Sequence, residues 1–599
     1  MTVRAHLSTL ENSGLVRPAQ ATPDLEYLFR HALVQETAYA SLVKPSRRQL
    51  HLAAGQALER LYPDRREEFV PLLAHHFDAA GDVERALAYT TQAGDQAARR
   101  YANAEAVLHY ARALAIAERA HPRPALKVYA HLYAACGNAL RLSSRYDEAL
   151  AHYAAMEEHG RRLGEPALEL AALIERATIH ATTTPRQDVR LARQLLERAL
   201  ELARRLNDRA AEAKINWNLM LTHLFGFEDD ASLSVMYGER ALAQARELDL
   251  REQMAFTLND LGNAYMFAGR LDRALAAAQE AGDLWRALGN LPMLADSLSI
   301  LCRLQAYAGE FEPAIEAGHA SLDIARRIGN LWGQAHSLGM LGYPLFETGR
   351  AGEALEAWTA CLQLAKASGL MAALVGIQAD LAWAYDHLGA ADRALEAAQR
   401  ALHQAETAIA HWRPWAAAVF ARLHLRQAHA AEVGALLREN RHGSFVDYFG
   451  RLLWSGATGV VLAHAGLALA NGDPAGALAA LGEVESYLRA AGARMFLPDV
   501  LGMKGRALVD QGRLDEAHET LAEARATAEA IGSRRSLWPL LLALSDVEAR
   551  RGNIPEAEAL RRQAREAIDF IADHCPLDLR ASFLNLPDAR RMLSDDVIT

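Results

Sequence analysis

The sequence predicts an all-α, right-handed superhelical solenoid of about twelve helical hairpins with a period near 40 residues, carrying a small mixed module at its amino end. Three observations lead there. Ala, Leu, Arg and Glu, the strong helix formers, dominate a chain in which only 7% of residues are aromatic. A glycine, a polar turn and an Ala-Leu or similar pair recur at fixed spacing. The stretches between these turns have the apolar spacing of amphipathic helices rather than the alternation of strands.

The repeat is readable by eye. Gly269-Arg-Leu-Asp-Arg-Ala-Leu, Gly309-Glu-Phe-Glu-Pro-Ala-Ile, Gly349-Arg-Ala-Gly-Glu-Ala-Leu and Gly389-Ala-Ala-Asp-Arg-Ala-Leu follow one another at 40-residue steps. A second run, Gly472-Asp-Pro-Ala-Gly-Ala-Leu, Gly512-Arg-Leu-Asp-Glu-Ala-His and Gly552-Asn-Ile-Pro-Glu-Ala-Glu, keeps the same step in a shifted register. Each glycine ends one helix in the left-handed conformation, and the acidic residue or proline just beyond starts its antiparallel partner. Small residues fall where two helices must approach: Gly262 with Ala274, Ala278 and Ala281, Gly137 with Ala149, Ala382 with Ala394, and Gly505 with Ala517. Cys302 and Cys361 occupy such slots and read as compact hydrophobes. The pattern loosens between Thr182 and Gly238 and between His411 and Gly459, where Thr182-Thr-Thr-Pro185 and Asn440-Arg-His-Gly-Ser444 predict loops or altered stacking.

These hairpins resemble the tetratricopeptide repeat. Its usual unit is about 34 residues, so the longer period implies helices extended by nearly a turn. The solenoid is assigned to residues 49–575, with a capping segment and tail over 576–599.

Ahead of the repeats, Leu7 to Leu10 reads as a helix ending at Gly14, and Leu15-Val16 and Tyr27-Leu-Phe29 read as two strands of a wing. The continuation from Phe29 through His31, Glu36 and Tyr39 to Leu42 resembles the end of the winged-helix module in bacterial signal-transduction ATPases with numerous domains. Residues 1–48 are therefore read as a winged-helix remnant. In that family an ATPase domain precedes the winged helix, often behind a class III adenylate or guanylate cyclase domain, and Leu579 to Pro587 is similar to the end of cyclase-linked arrays. The resemblance also implies that His31 senses a bound nucleotide phosphate, here in trans. The family's following Asp is replaced by Ala32. No GxxxxGKS or GxxxxGKT phosphate loop is present, so the chain reads as a piece of a longer regulator or as a sensory arm acting through a separate protein.

Other functions are disfavoured. A net charge of -10 repels a phosphate backbone, and the candidate recognition helix offers only Arg4 and His6, which argues against nucleic acid. Four cysteines far apart, with no CxxC pair, argue against both a zinc site and a disulfide framework and suit a reducing cytoplasm. The most apolar stretch, Gly456 to Ala470, is too short to cross a membrane. No HExxH or GxSxG motif occurs, and adjacent His75 and His76 are expected on different sides of their helix, so no catalytic residue, cofactor or metal is predicted.

Function is instead placed on the concave face, lined by the first helix of each unit. Counting from the small slots gives Asn259, Asn263, Arg303, His336, Tyr343, Trp383 and Asp386. Amides and aromatics there suit a peptide, protein or small effector. Asp296 and Ile300 stand where a basic clamp for a terminal carboxylate would continue. The expected role is a non-catalytic sensory and protein-interaction array of an ATPase- or cyclase-linked regulator. The alternatives are a transcriptional regulator using the winged helix on DNA and an unrecognised enzyme, whose sign would be a deep pocket of converging titratable groups.

Overall fold

The computed structural model describes residues 3–20, 26–226, 231–407, 412–425, 430–440 and 443–593, and contains thirty α-helices and a single pair of strands among them. Contacts divide the chain into two compact units, Met1–His152 and Tyr153–Thr599. None of the described helices is long and apolar enough to cross a membrane.

In the first unit, helix Val3–Asn12 leads through a left-handed Gly14 into strands Val16–Gln20 and Glu26–Phe29, which pair antiparallel with Val16 opposite Phe29. The side chain of Arg4 lies outside the described residues. Helices Lys44–Leu61, Val70–Ala80, Val83–Arg99 and Asn103–Arg119 then enclose a core of Val70, Leu73, Phe77, Tyr89 and Ile116. Asp82 opens the third of these by accepting from the Arg85 amide at 3.1 Å. Gly55 lets the first two approach, since a Cβ there would stand 2.9 Å from Cζ of Phe77.

The second unit is an all-α solenoid of tetratricopeptide-like hairpins. Its regular centre is Arg251–Phe267 with Leu271–Leu288, Leu291–Ala308 with Phe311–Arg327, Leu331–Glu347 with Ala351–Ser368, and Met371–His387 with Ala391–Thr407. The seven repeat glycines all have positive φ, between 72° and 87°. At Gly309 the chain reverses with the Glu310 amide donating to the Gln305 carbonyl at 2.8 Å, the bond that satisfies a terminal helix carbonyl. A second glycine series, Gly289, Gly329 and Gly369, ends the return helices in the same left-handed way. The small slots are filled as their spacing requires: a Cβ on Gly342 would lie 2.2 Å from Nε1 of the buried Trp358. Cys302 and Cys361 are wholly buried, and burial pushes both thiols up to about 12.

The first irregular stretch stays helical after its break. Residues 182–188 form the loop, and Val189–Leu206, Arg209–Leu224 and Ala231–Glu247 follow. In the second, Arg413–Leu425 and Ala430–Glu439 are short, while Arg441 and His442 lie outside the described residues, as does His411.

What the sequence did not disclose is that the two glycine runs pack side by side. Arg494 Nε donates to the Ala308 carbonyl at 2.8 Å and Arg534 Nη1 to the Thr348 carbonyl at 3.4 Å, both across 186 residues. Because each run has the same period, one contact in register brings the next into register. The glycine turns of the first run carry no side chain to hold the runs apart: Gly309 faces Ile531, Gly349 faces Ile571 and Gly389 faces the Ser582 carbonyl. At the centre of this contact Arg535, 5% exposed, donates from Nε to Glu347 at 2.8 Å and from Nη2 to Asp499 at 2.8 Å. Ser533 donates to the other oxygen of Glu347 at 2.6 Å.

Candidate functional site

The first helices of successive repeats present stripes at helical spacing: Asp260, Asn263 and Phe267, then Asp296, Ile300 and Arg303, then Trp332, His336, Met340 and Tyr343. Together with Ile377, these stripes line a cavity of about 280 Å³, near the lower end of the roughly 300–1,000 Å³ usual for small-molecule sites. Trp412, Trp415 and Leu453 also contribute to its lining, and so do Thr182 and Thr183 from the predicted loop. The expected concave face is thus narrowed into a pocket, because the chain beyond Thr407 returns across it: Ser455 Oγ lies 3.3 Å from Tyr343 Oη, and Trp454 stacks on Tyr307 at 5.7 Å.

The polar groups are unevenly satisfied. Arg303 is 5% exposed, its Nη2 donates to Asn263 Oδ1 and its Nη1 sits 3.9 Å from Met340 Sδ. Its Nε has no hydrogen-bond partner, and its hydrogen-bond contacts among the described residues are with neutral groups, the Asp296 carboxylate acting on it only through its charge. Burial lowers the pKa of this guanidinium, which nonetheless stays cationic at neutral pH. Asp260 accepts from Trp217 Nε1 at 2.8 Å, and burial, assisted by the charge of Asp296, raises its carboxyl to about 7. Asp296 accepts from Asn259 Nδ2 at 2.8 Å through one oxygen and approaches His336 Nδ1 at 3.3 Å with the other. The pocket therefore offers one buried cation, one carboxylate able to change protonation near neutrality, and apolar walls.

Of the seven residues chosen from register, Asn263, Arg303, His336 and Tyr343 line this cavity. Asn259 lies behind it, 2% exposed and engaged with Asp296 and Ser297. Trp383 lines a separate space of about 40 Å³ with Asp380 and Glu347, and the Arg535 guanidinium lies 5.0 Å from its ring. Tyr343 donates to Asp380 at 2.5 Å, and burial drives that carboxyl well above its ordinary range. Asp386 is buried and borders neither space. His31 is exposed and precedes helix Ala32–Ser41 in extended conformation. Register counting passed over Asp260, Trp332, Trp412 and Trp415. Asp260 and Trp332 belong to the same helical stripes, but nothing local places the two later tryptophans opposite them.

No protein-family model matches the sequence, and no curated relative does either. Solved structures similar to it include a signal transduction ATPase with numerous domains, carrying a tetratricopeptide repeat sensor, from Pyrococcus horikoshii (14% identity, 63% of this chain and 55% of that one, TM-score 0.38). Others are the Cut9 and Hcn1 hetero-tetramer of the APC/C (14% identity, 90% and 99%, TM-score 0.43) and a Rap protein complexed with competence and sporulation factor (12% identity, 59% and 99%, TM-score 0.37). The chain spans about half the length of the first, 55%.

Proposed function

We propose that this chain is the non-catalytic sensory array of a signal-transduction regulator, and that its effector is a small amphoteric molecule bound in the cavity at Arg303. The observation that carries the reading is the Arg303 guanidinium, buried to 5% exposure beside a cavity and hydrogen-bonded, among the described residues, to neutral groups. A buried charge is costly unless paired, and an incoming carboxylate or phosphate supplies the pair. Asp260 on the neighbouring stripe and Asp296 on Arg303's own stripe favour a ligand that also carries a donor or ammonium group. Trp332, Met340 and Ile377 suit an apolar body of amino-acid or short-peptide size.

Binding there joins helices of four repeats with the returning chain, so it shifts the equilibrium between two packings of the array. In this reading residues 1–48 are a winged-helix remnant that passes the shift to an ATPase or cyclase partner in the cytoplasm, with His31 contacting the partner's nucleotide. A second reading, an enzyme using the same pocket, is favoured by one observation, the Asp260 carboxyl near 7 beside the Asp296–His336 pair.

The test is isothermal calorimetry of the full chain against free amino acids, short peptides and their amidated forms, with Arg303→Met alongside. Micromolar binding that requires the free carboxylate and falls at least tenfold in Arg303→Met supports the proposal. Binding indifferent to both, or an absence of binding across the panel, refutes it, and turnover of any bound compound moves the assignment to the enzyme.

A further inference from the structure

Three imidazoles cluster in the first unit. His51 lies on helix Lys44–Leu61, and His75 and His76 lie on helix Val70–Ala80. Contrary to the expectation that the adjacent pair diverges, both of its rings face His51. Their centres lie 5.4 Å and 5.2 Å from that of His51 and 5.5 Å from each other. Neighbouring residues on a helix point about 100° apart, so they can reach one point only when that point lies between them on a facing helix. The close approach at Gly55 and Phe77, one turn from His51 and next to His76, brings the second helix to that position.

We propose that His51, His75 and His76 form a binding site for a divalent transition-metal ion of the zinc class. The donor atoms of the three rings all lie within 4.8 Å of one another. Tetrahedral coordination with metal–nitrogen bonds of about 2.0–2.1 Å sets imidazole centres about 5.2 Å apart, which is the spacing these rings already hold. The rings are inclined at 79°, 45° and 60° instead of stacking, which suits convergence of nitrogen lone pairs on one point. His51 Nδ1 and His76 Nδ1 are 2.9 Å apart, so two nitrogens with the capacity to ligate already face each other. On the far side of the His51 ring, Nε2 lies 3.0 Å from the Tyr39 hydroxyl. With the ion on Nδ1, Nε2 keeps its proton and donates it to Tyr39, the outer partner that fixes a ligating histidine's tautomer. An all-imidazole set selects zinc, nickel, copper or cobalt over calcium and magnesium, which require oxygen. Three protein ligands leave a fourth position for water or a partner's side chain, and the exposure of His75 leaves the site open to ions from solvent.

The experiment uses the full chain without a polyhistidine tag, stripped with chelator and dialysed against Zn2+, with Co2+ absorption as a spectroscopic report of geometry. One zinc per chain at micromolar affinity or tighter is expected, with a tetrahedral cobalt spectrum. His51→Gln, His75→Gln and His76→Gln should each weaken binding at least tenfold, and Tyr39→Phe about tenfold, with circular dichroism confirming that each variant is folded. Absence of zinc at micromolar concentration, or unchanged affinity in any of the three histidine variants, overturns the site.

Discussion

Arg535→Met tests how the two glycine runs are held together. The guanidinium makes three hydrogen bonds to two carboxylates, at 2.8 Å to Glu347 and at 2.8 and 3.1 Å to Asp499, and it lies over Trp383. Methionine fills much of its volume but leaves Glu347, 1% exposed, with only the Ser533 hydroxyl. Removing one partner of a buried pair costs about 3–5 kcal/mol, and Asp499, with 28% side-chain exposure, recovers part of its share from water. A loss of about 3 kcal/mol at neutral pH is therefore expected. Its pH dependence has a definite sign. Burial already raises the Glu347 carboxyl above its ordinary value despite Arg535, and loss of that cation raises it further. Between the unfolded and folded pKa the native state holds the extra proton, so the variant loses stability as pH rises through that window and regains it on acidification.

Urea unfolding followed by circular dichroism at pH 5 and pH 8, with hydrogen exchange on peptides around Glu347 and Arg535, reads both effects. Pairing Arg535→Met with Glu347→Met should restore at least half of the loss, because an apolar pair replaces an uncompensated charge. A change within about 0.5 kcal/mol at both pH values, the usual range for surface substitutions, would show that the network does not fasten the runs.

Asp260→Asn should raise stability at pH 8 and leave it nearly unchanged near pH 4, since a carboxyl raised to about 7 in the fold costs the native state stability progressively as pH rises from the unfolded pKa towards 7; melting curves at both pH values decide. Gly342→Ala should cost about 1–3 kcal/mol from overpacking against Trp358, measured by chemical denaturation. Gly389→Ala should cost more than Gly512→Ala, although both have φ near 72°, because only the former meets another backbone group, the Ser582 carbonyl at 2.6 Å. Cys302 and Cys361 should resist alkylation in the native state and react once denaturant is added, because only the thiolate attacks and both are buried.

What depends on neighbouring residues could be read from the residues alone. Glycines at 40-residue steps require a left-handed turn wherever they occur, and each adopts one. Small slots such as Gly262, Cys302 and Gly342 follow from the distance between two antiparallel helices of one hairpin, which neighbouring residues set. The stripe containing Asn263, Arg303 and Tyr343 was legible for the same reason: a helical face and a fixed period suffice to align equivalent positions of consecutive repeats. Tertiary structure alone decided how the runs meet. Contacts across 186 residues depend on the small rotation accumulated from hairpin to hairpin, and no local pattern encodes it. That accumulated rotation brings Trp412, Trp415 and Leu453 to the same cavity as Arg303 and sends Trp383 to Arg535. The histidine trio shows the same limit over a shorter distance. Helical periodicity sets His75 and His76 about 100° apart on their helix, and only the facing helix supplies the point, at His51, where the two rings meet.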